Sequence, residues 1–390
     1  MQVTEKAIKT FLLTLILGHC IFAYSQKEAS NWYFGYQAGL TFNSGNPVAL
    51  SKSPMNADVG SSSISSNKGH LLFYSDGYQV WDSTHTALSN FLRGRGGTQT
   101  VVIIPRPDSS HLFYIFTVGS PTSNSPDNGS FYSEINMKLR FGRGDFIPGK
   151  VNIPLVAPSC GKLTAVRHAN RKDYWVITQK YYTDTLYAYL ITSLGINKPV
   201  LSKTGLLVGT GNQGLGALKV SPDGKRICSV NNSDSAFLGD FDAATGKVSN
   251  IWFFEPTWGR GVEFSSKTKF LYTIGFPYVG TRLCQYDLSS RTKQQFIASR
   301  KTIDTIFYNF IASLQLGLDQ KIYISPRNLF YLHVIKNPDM EGSMAQPERN
   351  YFYLGGQKAG VGLPNMIQSY FQKKTFVISP VCTRDTVYFE

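Results

Sequence analysis

Residues 218–228, LKVSPDGKRIC, decide the fold: a short apolar segment, a polar turn and a second apolar segment follow one another. Pro-Asp-Gly is a strong turn former, because Pro fixes φ, Asp hydrogen-bonds to its own backbone and Gly accepts positive φ. Apolar runs on both sides of such a turn predict a β-hairpin.

This hairpin pattern occurs six times along the chain. Each copy has a polar turn followed by an aromatic or apolar pair in the second strand. The turns are 65–69, 106–109, 170–173, 221–225, 266–269 and 318–321, and the pairs end at residues 74, 114, 175, 228, 272 and 323. A period of about 50 residues is typical of four-stranded propeller blades, whereas a β-sandwich would not repeat one turn at this spacing.

A third strand is predicted after each of these pairs, and five of these strands end in Asp or Asn, whose side chain caps the following turn. They are 80–82, 135–136, 241–242, 286–287 and 335–337. The longest interval contains a polar insert, 119–130, which we expect to be a surface loop.

Both ends of the repeat region indicate how the ring closes. Residues 31–35, 40–45 and 47–50 resemble the second, third and fourth strands of a blade without its first strand, and residues 360–366 resemble a lone first strand. Together they complete a shared blade and leave no strand edge unpaired. The sequence therefore predicts an all-β, seven-bladed β-propeller closed by N- and C-terminal strands, with six blades as the alternative.

Composition and charge argue against several classes of protein. Charged residues make up 16% and aromatic residues 14% of the 390 residues, which argues against a coiled coil, a helical bundle or a disordered chain. The net charge of +14 comes from few acidic residues, since no run of five basic residues occurs. A nucleic-acid-binding surface is therefore not expected.

Residues 1–25 have the pattern of a secretory signal peptide: Lys6 and Lys9 precede an apolar run, 11–17, and small residues stand before Gln26. The alternative is a lipoprotein signal ending at Cys20. No later stretch is long and apolar enough for a transmembrane segment. We expect export through the inner membrane, to the periplasm, the cell surface or the medium.

Several motifs carry a resemblance to a known group. They are residues 32–42 (WYFGYQAGLTF), 71–81 (LLFYSDGYQVW), 162–166 (KLTAV), 174–177 (YWVI), 218–225 (LKVSPDGK), 261–264 (GVEF) and 314–323 (LQLGLDQKIY). They resemble, in the same order, the amino-terminal propeller of secreted Bacteroidetes surface proteins.

The resemblance implies a domain division and a setting. A propeller would occupy residues 26–372, and the tail, 373–390, resembles the start of a PKD-like module. In that family such modules and a gliding-motility-associated sorting domain commonly follow the propeller. The resemblance implies a role in adhesion, gliding-related surface assembly or capture of external polymers.

Motifs for catalysis are weak. No two histidines have a metal-ligand spacing, and we predict neither a metal nor a cofactor. Residues 209–214 match GxGxxG without a following helix pattern, and Asp76-Gly77 is interpreted as a β-turn. We expect His70 and His111 to be structural and His168 to be exposed. Cys160, Cys228, Cys284 and Cys382 have irregular spacing; burial as small apolar side chains is the simplest interpretation, and a disulfide stays open.

A binding site is most plausible where the loops that lead into the innermost strands meet around the central channel. The residues there that suit a carbohydrate or an acidic protein segment are Gln99, Lys162, Gln213, Trp258, Arg260, Tyr308 and Asn309. The alternative is that these side chains only line the ring.

The leading functional hypothesis is a monomeric, non-catalytic interaction or scaffold module with a glycan or surface-protein partner. One alternative is a propeller hydrolase or lyase that acts on an extracellular polysaccharide through catalytic residues dispersed over several blades. The other alternative is a structural spacer without a ligand.

Overall fold

The protein is an all-β, seven-bladed β-propeller, as predicted. The computed structural model describes residues 26–119, 128–209, 211–233, 235–256, 259–275, 280–306 and 312–372. The proposed signal peptide with Cys20, the tail with Cys382 and most of the polar insert lie outside the described residues.

Each sheet is antiparallel, and its strands follow the chain order from the inside outward, except in the first sheet. Blade 1 consists of β1 (Asn31–Tyr36), β2 (Ala38–Thr41), β3 (Val48–Leu50) and β4 (Asn56–Ala57). Blade 2 consists of β5 (Ser62–Ser65), β6 (Leu71–Ser75) and β7 (Val80–Asp82). Blade 3 consists of β8 (Val101–Pro105), β9 (Leu112–Val118), β10 (Ser130–Asn136), β11 (Asp145–Phe146) and β12 (Ile153–Val156).

The remaining four blades are more regular. Blade 4 consists of β13 (Ser159–Arg167), β14 (Tyr174–Lys180), β15 (Thr183–Thr192), β16 (Gly195–Ile196) and β17 (Val200–Val208). Blade 5 consists of β18 (Gly216–Val220), β19 (Arg226–Asn231), β20 (Ala236–Asp242) and β21 (Lys247–Phe254). Blade 6 consists of β22 (Gly259–Phe264), β23 (Phe270–Gly275), β24 (Thr281–Asp287) and β25 (Lys301–Ile306). Blade 7 consists of β26 (Ala312–Leu316), β27 (Ile322–Pro326), β28 (Tyr331–Ile335) and β29 (Pro347–Tyr353).

Helix is scarce among the described residues. One α-helix, α1 (Lys293–Ala298), precedes β25, and its N-terminus is capped by the side chain of Thr292. Short 3-10 helices are Lys27–Ala29, Arg140–Gly142, Gly211–Gly214, Gly342–Ala345 and Gln368–Phe371. The sequence pattern predicted a turn before α1 but not the helix. Within the described part of the chain, no helix is long and apolar enough to cross a membrane.

The six predicted turns all connect the first and second strands of a blade. In three of them a serine at the end of the first strand accepts backbone N–H bonds across the turn. Ser221 Oγ accepts from Arg226 N at 2.9 Å, Ser265 Oγ from Phe270 N at 3.1 Å and Ser66 Oγ from His70 N at 3.2 Å. Ser265 therefore accepts the same backbone hydrogen bond as Ser221, although its turn lacks the Pro-Asp-Gly sequence.

The caps predicted after the third strands are also present. Asp82 Oδ1 accepts from Thr84 N at 2.9 Å, Asp242 Oδ1 from Ala244 N at 2.9 Å and Asp287 Oδ1 from Ser289 N at 2.8 Å. These carboxylates satisfy backbone groups where the sheet ends, which is why short polar residues recur there.

The innermost strands meet around the axis and carry buried charges. Lys219 in β18, Glu263 in β22 and Gln315 in β26 occupy the same position, the next-to-last residue of the first strand. Lys219 Nζ lies 2.9 Å from Glu263 Oε2 and 2.6 Å from Gln315 Oε1, and Glu263 also accepts from Leu316 N. This network joins blades 5, 6 and 7, because each buried polar atom has a partner on the next blade.

The C-terminal segment 358–371, which we call the axial segment, runs against the innermost strands instead of forming a regular one. It makes isolated bridges with Tyr36, Ser61 and Ala165. Asn365 Nδ2 donates to Leu163 O at 2.9 Å and Val101 O at 3.3 Å, and Ser313 N donates to Val361 O. Both ends of the chain thus contribute to ring closure, and the C-terminal end fills the axis. Residues 360–366 do not form the first strand predicted for them, because β4 pairs with β1 in that sheet and the axial segment makes only isolated bridges.

Candidate functional site

One end of the propeller gathers polar side chains from several blades. In an antiparallel blade, the loop leading into the first strand lies at the same end as the turn between the second and third strands. Asp58, Arg95 and Arg260 belong to loops or strand starts of the first kind, and Asp76 and Arg327 to turns of the second kind. The topology therefore brings them to one face.

A cavity of about 220 Å³ lies at this end between blades 1, 2 and 3, beside Asp58, Asp76 and Arg95. Asp58, Asp76, Tyr78, Arg95 and Thr100 contribute to its lining. We call these five residues, together with Arg260 and Arg327, the mouth site. The cavity has room for one sugar-sized ring.

Asp76 has the most altered carboxyl group of the site. Burial raises its pKa above the ordinary value of 3.8, against the opposing effects of two backbone hydrogen bonds and of Arg95. Both bonds go to Oδ1, from Tyr78 N at 2.8 Å and Gln79 N at 2.7 Å. Asp76 is thus a firmly held carboxylate of increased basicity, as a general base requires.

Gly77 fixes the turn that presents Asp76. Its φ is +89°, and a Cβ atom there would lie 2.8 Å from Gly94 O and 2.9 Å from the Thr100 side chain. Only glycine fits both the backbone angle and the space. The predicted β-turn at Asp76-Gly77 is present. Gly77 packs closely against Gly94, which belongs to the loop that carries Arg95.

Arg95 is held over the cavity by an aromatic stack. Its guanidinium carbon lies 3.4 Å from the ring centroid of Tyr78, and Tyr78 stacks on Phe91 with centroids 4.7 Å apart. A cation–π contact of this kind restrains a long side chain without neutralising its charge. Arg95 is therefore held in place beside Asp76.

Asp58 is engaged by two partners. Arg327 contacts both carboxylate oxygens, with Nε 2.9 Å from Oδ1 and an Nη 2.7 Å from Oδ2, and the Tyr36 hydroxyl donates to Oδ1 at 2.8 Å. The fork geometry fixes Arg327 in place.

Arg260 lies close enough to Asp58 and Arg327 for both charges to act on it. Burial, and then Arg327, lowers the pKa of Arg260, while Asp58 opposes this effect. Its Nε is buried without a hydrogen-bond partner among the described residues. One carboxylate thus faces two guanidinium groups, which leaves an excess of positive charge at the mouth site.

Two residues of the predicted site, Gln99 and Lys162, are committed to the structure. Gln99 is 7% exposed, and its amide exchanges hydrogen bonds with the backbone of Leu218 at 2.7 and 3.1 Å. Lys162 is completely buried, and its Nζ donates to Ser229 Oγ at 2.7 Å, to Val230 O and to Asn231 Oδ1. Burial lowers the pKa of Lys162 to about 8. Both side chains connect blades rather than face a ligand.

The other predicted site residues are dispersed. Arg260 belongs to the mouth site, and Gln213 is half-buried with Oε1 3.5 Å from Gly209 N. Trp258, Tyr308 and Asn309 lie outside the described residues. Of the four predicted site residues that the structure describes, Arg260 alone belongs to the mouth site.

The remaining candidates have structural surroundings. His168 is half-buried rather than exposed; its Nε2 contacts Ala244 O at 3.0 Å. Cys160, Cys228 and Cys284 are buried free thiols, and burial raises the pKa of Cys160 to about 11. Within the ranges that the structure describes, no three His, Cys, Asp or Glu residues are placed to hold a metal ion.

Asp58, Asp76, Arg95 and Arg327 were not predicted as site residues. The site residues predicted from the sequence came only from loops that lead into first strands. Asp58 and Arg95 lie in such loops but were not selected, whereas Asp76 and Arg327 lie in turns between second and third strands. Since both kinds of connection meet at one end, applying the same criterion to those turns would have found them.

Comparisons with known proteins place the fold among propellers. No family model and no curated protein matches the chain. Among similar solved structures, a proposed 6-phosphogluconolactonase from Bacteroides uniformis has 16% identity, a TM-score of 0.42, and coverage of 90% of this chain and 86% of the other. A second one, from Bacteroides fragilis, has 13% identity, a TM-score of 0.41, and coverage of 71% and 96%. The periplasmic gluconolactonase of Pseudomonas aeruginosa has 12% identity, a TM-score of 0.40, and coverage of 69% and 76%.

These names correct one prediction. They are names of hydrolases, and they contradict the hypothesis of a non-catalytic interaction or scaffold module in adhesion or gliding-related assembly; the hydrolase alternative agrees with them better. They also lean against the prediction that the protein is not an enzyme. At identities of 12–16% and TM-scores of 0.40–0.42, the likeness does not establish the reaction.

Proposed function

We propose that the protein is a hydrolase that cleaves a negatively charged, carbohydrate-derived ester at the mouth site. The observation that carries the proposal is the pairing of Asp76, a half-buried carboxylate of raised pKa, with the restrained Arg95 beside one cavity. Perturbed carboxyl groups in a polar cavity are typical of active sites.

Asp76 acts as the general base. Its Oδ2 accepts a proton from water, whose oxygen forms a bond to the ester carbonyl carbon. Arg95 stabilises the oxyanion that develops. The bond from that carbon to the alcohol oxygen then breaks, and the proton returns to the departing alkoxide, so the products are an acid and an alcohol, or one hydroxy acid if the ester is a lactone.

Arg260 recognises the charged group of the substrate. Its unpartnered Nε and the excess positive charge beside Asp58 favour a substrate that carries a carboxylate or a phosphate. A cavity of about 220 Å³ favours a single sugar unit over several units of a polymer. This argues for a small lactone or ester rather than a polysaccharide.

Lactone assays test the proposal, and the neighbours' names merely supply the first compounds. Gluconolactone, its 6-phosphate and a uronic acid lactone would be hydrolysed faster than the spontaneous rate, with the charged compounds preferred. Asp76→Asn keeps the backbone hydrogen bonds of Oδ1 and should lower kcat about 100-fold or more. Asp108→Asn, in an exposed turn at the opposite end, is the matched control and should leave kcat unchanged.

Arg260→Gln separates recognition from chemistry. We expect KM for the charged lactones to rise about 10-fold, with little change for neutral gluconolactone. If Asp76→Asn hydrolyses every compound at the wild-type rate, or if the wild type hydrolyses none, the proposal is wrong.

We also propose that the enzyme works outside the cytoplasm. The support is the signal-like pattern of residues 1–25, which lies outside the described residues. Cell fractionation with an antibody against the propeller tests this, and a purely cytoplasmic signal would contradict it.

A further inference from the structure

A second cavity lies at the periphery, between blades 5 and 6, and shares no residue with the mouth site. Its volume is about 750 Å³. The walls come from the end of β21, from β24, from α1 and from Leu206 of β17. A volume of this size accommodates a small organic ligand.

The floor of this peripheral cavity is aromatic. Phe254 and Tyr286 are buried, with ring centroids 5.3 Å apart, and Tyr286 stacks on Phe296 of α1 at 5.1 Å. The ring of Phe253 is 38% exposed at the rim. The cavity thus offers a rigid aromatic base and one accessible flat face, on which a second flat ring can stack.

Three ionic side chains line the same cavity without pairing. Lys293, Arg300 and Glu255 form no ion pair with any described residue, and they are exposed. Lys293 Nζ lies 5.9 Å from the ring centroid of Phe253, which places a positive charge beside the accessible aromatic face. Two cations against one carboxylate make this side of the cavity complementary to an anion.

The hydroxyl group of Tyr286 is a further indication that the peripheral cavity binds a ligand. Tyr286 is 1% exposed and lines the cavity, yet its hydroxyl oxygen has no hydrogen-bond partner in the described part of the chain. The side chains of Thr273 and Arg300 lie close by without reaching hydrogen-bond geometry. Buried hydroxyl groups are rarely left unpaired, so a polar ligand atom at this point would complete the site.

We infer that the peripheral cavity binds a small organic anion with a flat apolar body, such as an aromatic carboxylate. The flat body stacks on Phe253, and the carboxylate lies between Lys293 and Arg300. This inference rests on residues of blades 4, 5 and 6 and does not depend on the proposed hydrolysis at the mouth site.

Calorimetric titration with naphthoate and with neutral naphthylmethanol tests the inference. The wild type should bind naphthoate at least about 10-fold more tightly. The double variant Lys293→Gln/Arg300→Gln should lose that preference and keep the affinity for naphthylmethanol. Phe253→Ala should weaken both ligands about 10-fold.

Lys138→Gln/Arg143→Gln is the matched control, because it removes the same net charge from two exposed side chains of blade 3, which contributes no residue to the lining of the peripheral cavity. It should bind both ligands as the wild type does. The inference is overturned if the wild type binds neither ligand at millimolar concentration or shows no preference. It is equally overturned if the control loses the preference, or if either the double variant or Phe253→Ala behaves as the wild type.

Discussion

At the scale of single residues, surroundings decide what an ionisable side chain does. Lys162 was predicted to face a ligand, but its ammonium group is enclosed by acceptors from the next blade. Asp76 was interpreted as a turn residue, which it is, but burial also raises the pKa of its carboxyl group. Residue type and position predicted where these side chains lie along a blade, whereas their chemistry depends on groups that are far apart in sequence.

The lowered pKa of Lys162 predicts a pH dependence of stability. Below pH 8 the lysine is protonated in both states; between about pH 8 and the ordinary value of 10.5 only the unfolded chain holds the proton. Raising the pH through this window therefore relieves the cost of burying the charge, by about 3 kcal/mol in total.

Urea unfolding of the wild type and of Lys162→Met at several pH values checks this prediction. The difference in the free energy of unfolding should shift in favour of the wild type as the pH rises from 8 to 10.5. Parallel pH profiles for the two proteins would contradict it.

Gly77→Ala should be strongly destabilising. The φ of +89° alone costs about 1 kcal/mol, and the new Cβ would also collide with the backbone of Gly94. Gly45→Ala is the matched control, since Gly45 has a φ of +90° with no atom within 4 Å of the added Cβ. In denaturant unfolding we expect a loss of about 3 kcal/mol for Gly77→Ala and about 1 kcal/mol for Gly45→Ala; equal losses would show that the contact is unimportant.

At the scale of elements, the turn between the first and second strands was the most predictable unit. Its sequence signal is local, because the serine, the polar residues and the flanking strands all lie within a few positions of one another. The short helix α1 was missed, since its N-cap, Thr292, follows a turn that was predicted by itself. The cavity of the mouth site could not be predicted from any local signal, because its lining comes from connections of several blades.

The turn serines predict a graded loss of stability. Ser221 is buried, and its Oγ accepts from Arg226 N at 2.9 Å; Ser66 is half-buried, and its bonds are 3.2 and 3.3 Å long. Ser221→Ala should lower the free energy of unfolding by about 1–2 kcal/mol, because a buried N–H group loses its acceptor. Ser66→Ala should cost less, since water can replace the hydroxyl, and a larger loss for Ser66→Ala would contradict this account.

At the scale of the whole molecule, the number of blades was predictable from the period of the repeat. The role of the C-terminal part was only partly predictable from the sequence. Residues 360–366 were recognised as belonging to the ring closure, but their apolar and small residues gave no indication that they fill the axis. That arrangement depends on contacts of the axial segment with strands β5, β8, β13 and β26.

Asn365 is the residue through which the axial segment holds distant blades together. Its side chain donates to blades 3 and 4, and Ser62 of blade 2 donates to its carbonyl oxygen at 2.7 Å. Asn365→Ala leaves two buried carbonyl groups unpaired and should cost about 3 kcal/mol.

Thermal unfolding of Asn365→Ala compared with Asn43→Ala, whose exposed amide makes a single hydrogen bond to Gly69 O, checks this prediction. We expect a clear decrease in Tm for the former and a small one for the latter. Equal decreases would mean that the axial segment does not stabilise the ring.

The position of the axial segment has a consequence for biosynthesis. A ribosome makes the chain from the N-terminus, so all seven blades are synthesised before residues 358–371 emerge to occupy the middle. Until then the serines of β5 and the backbone of β13 lack the partners they have in the finished protein. The nascent chain therefore stays incompletely packed until residues 358–371 have been made, and a chaperone that shields apolar strands is most useful during that interval.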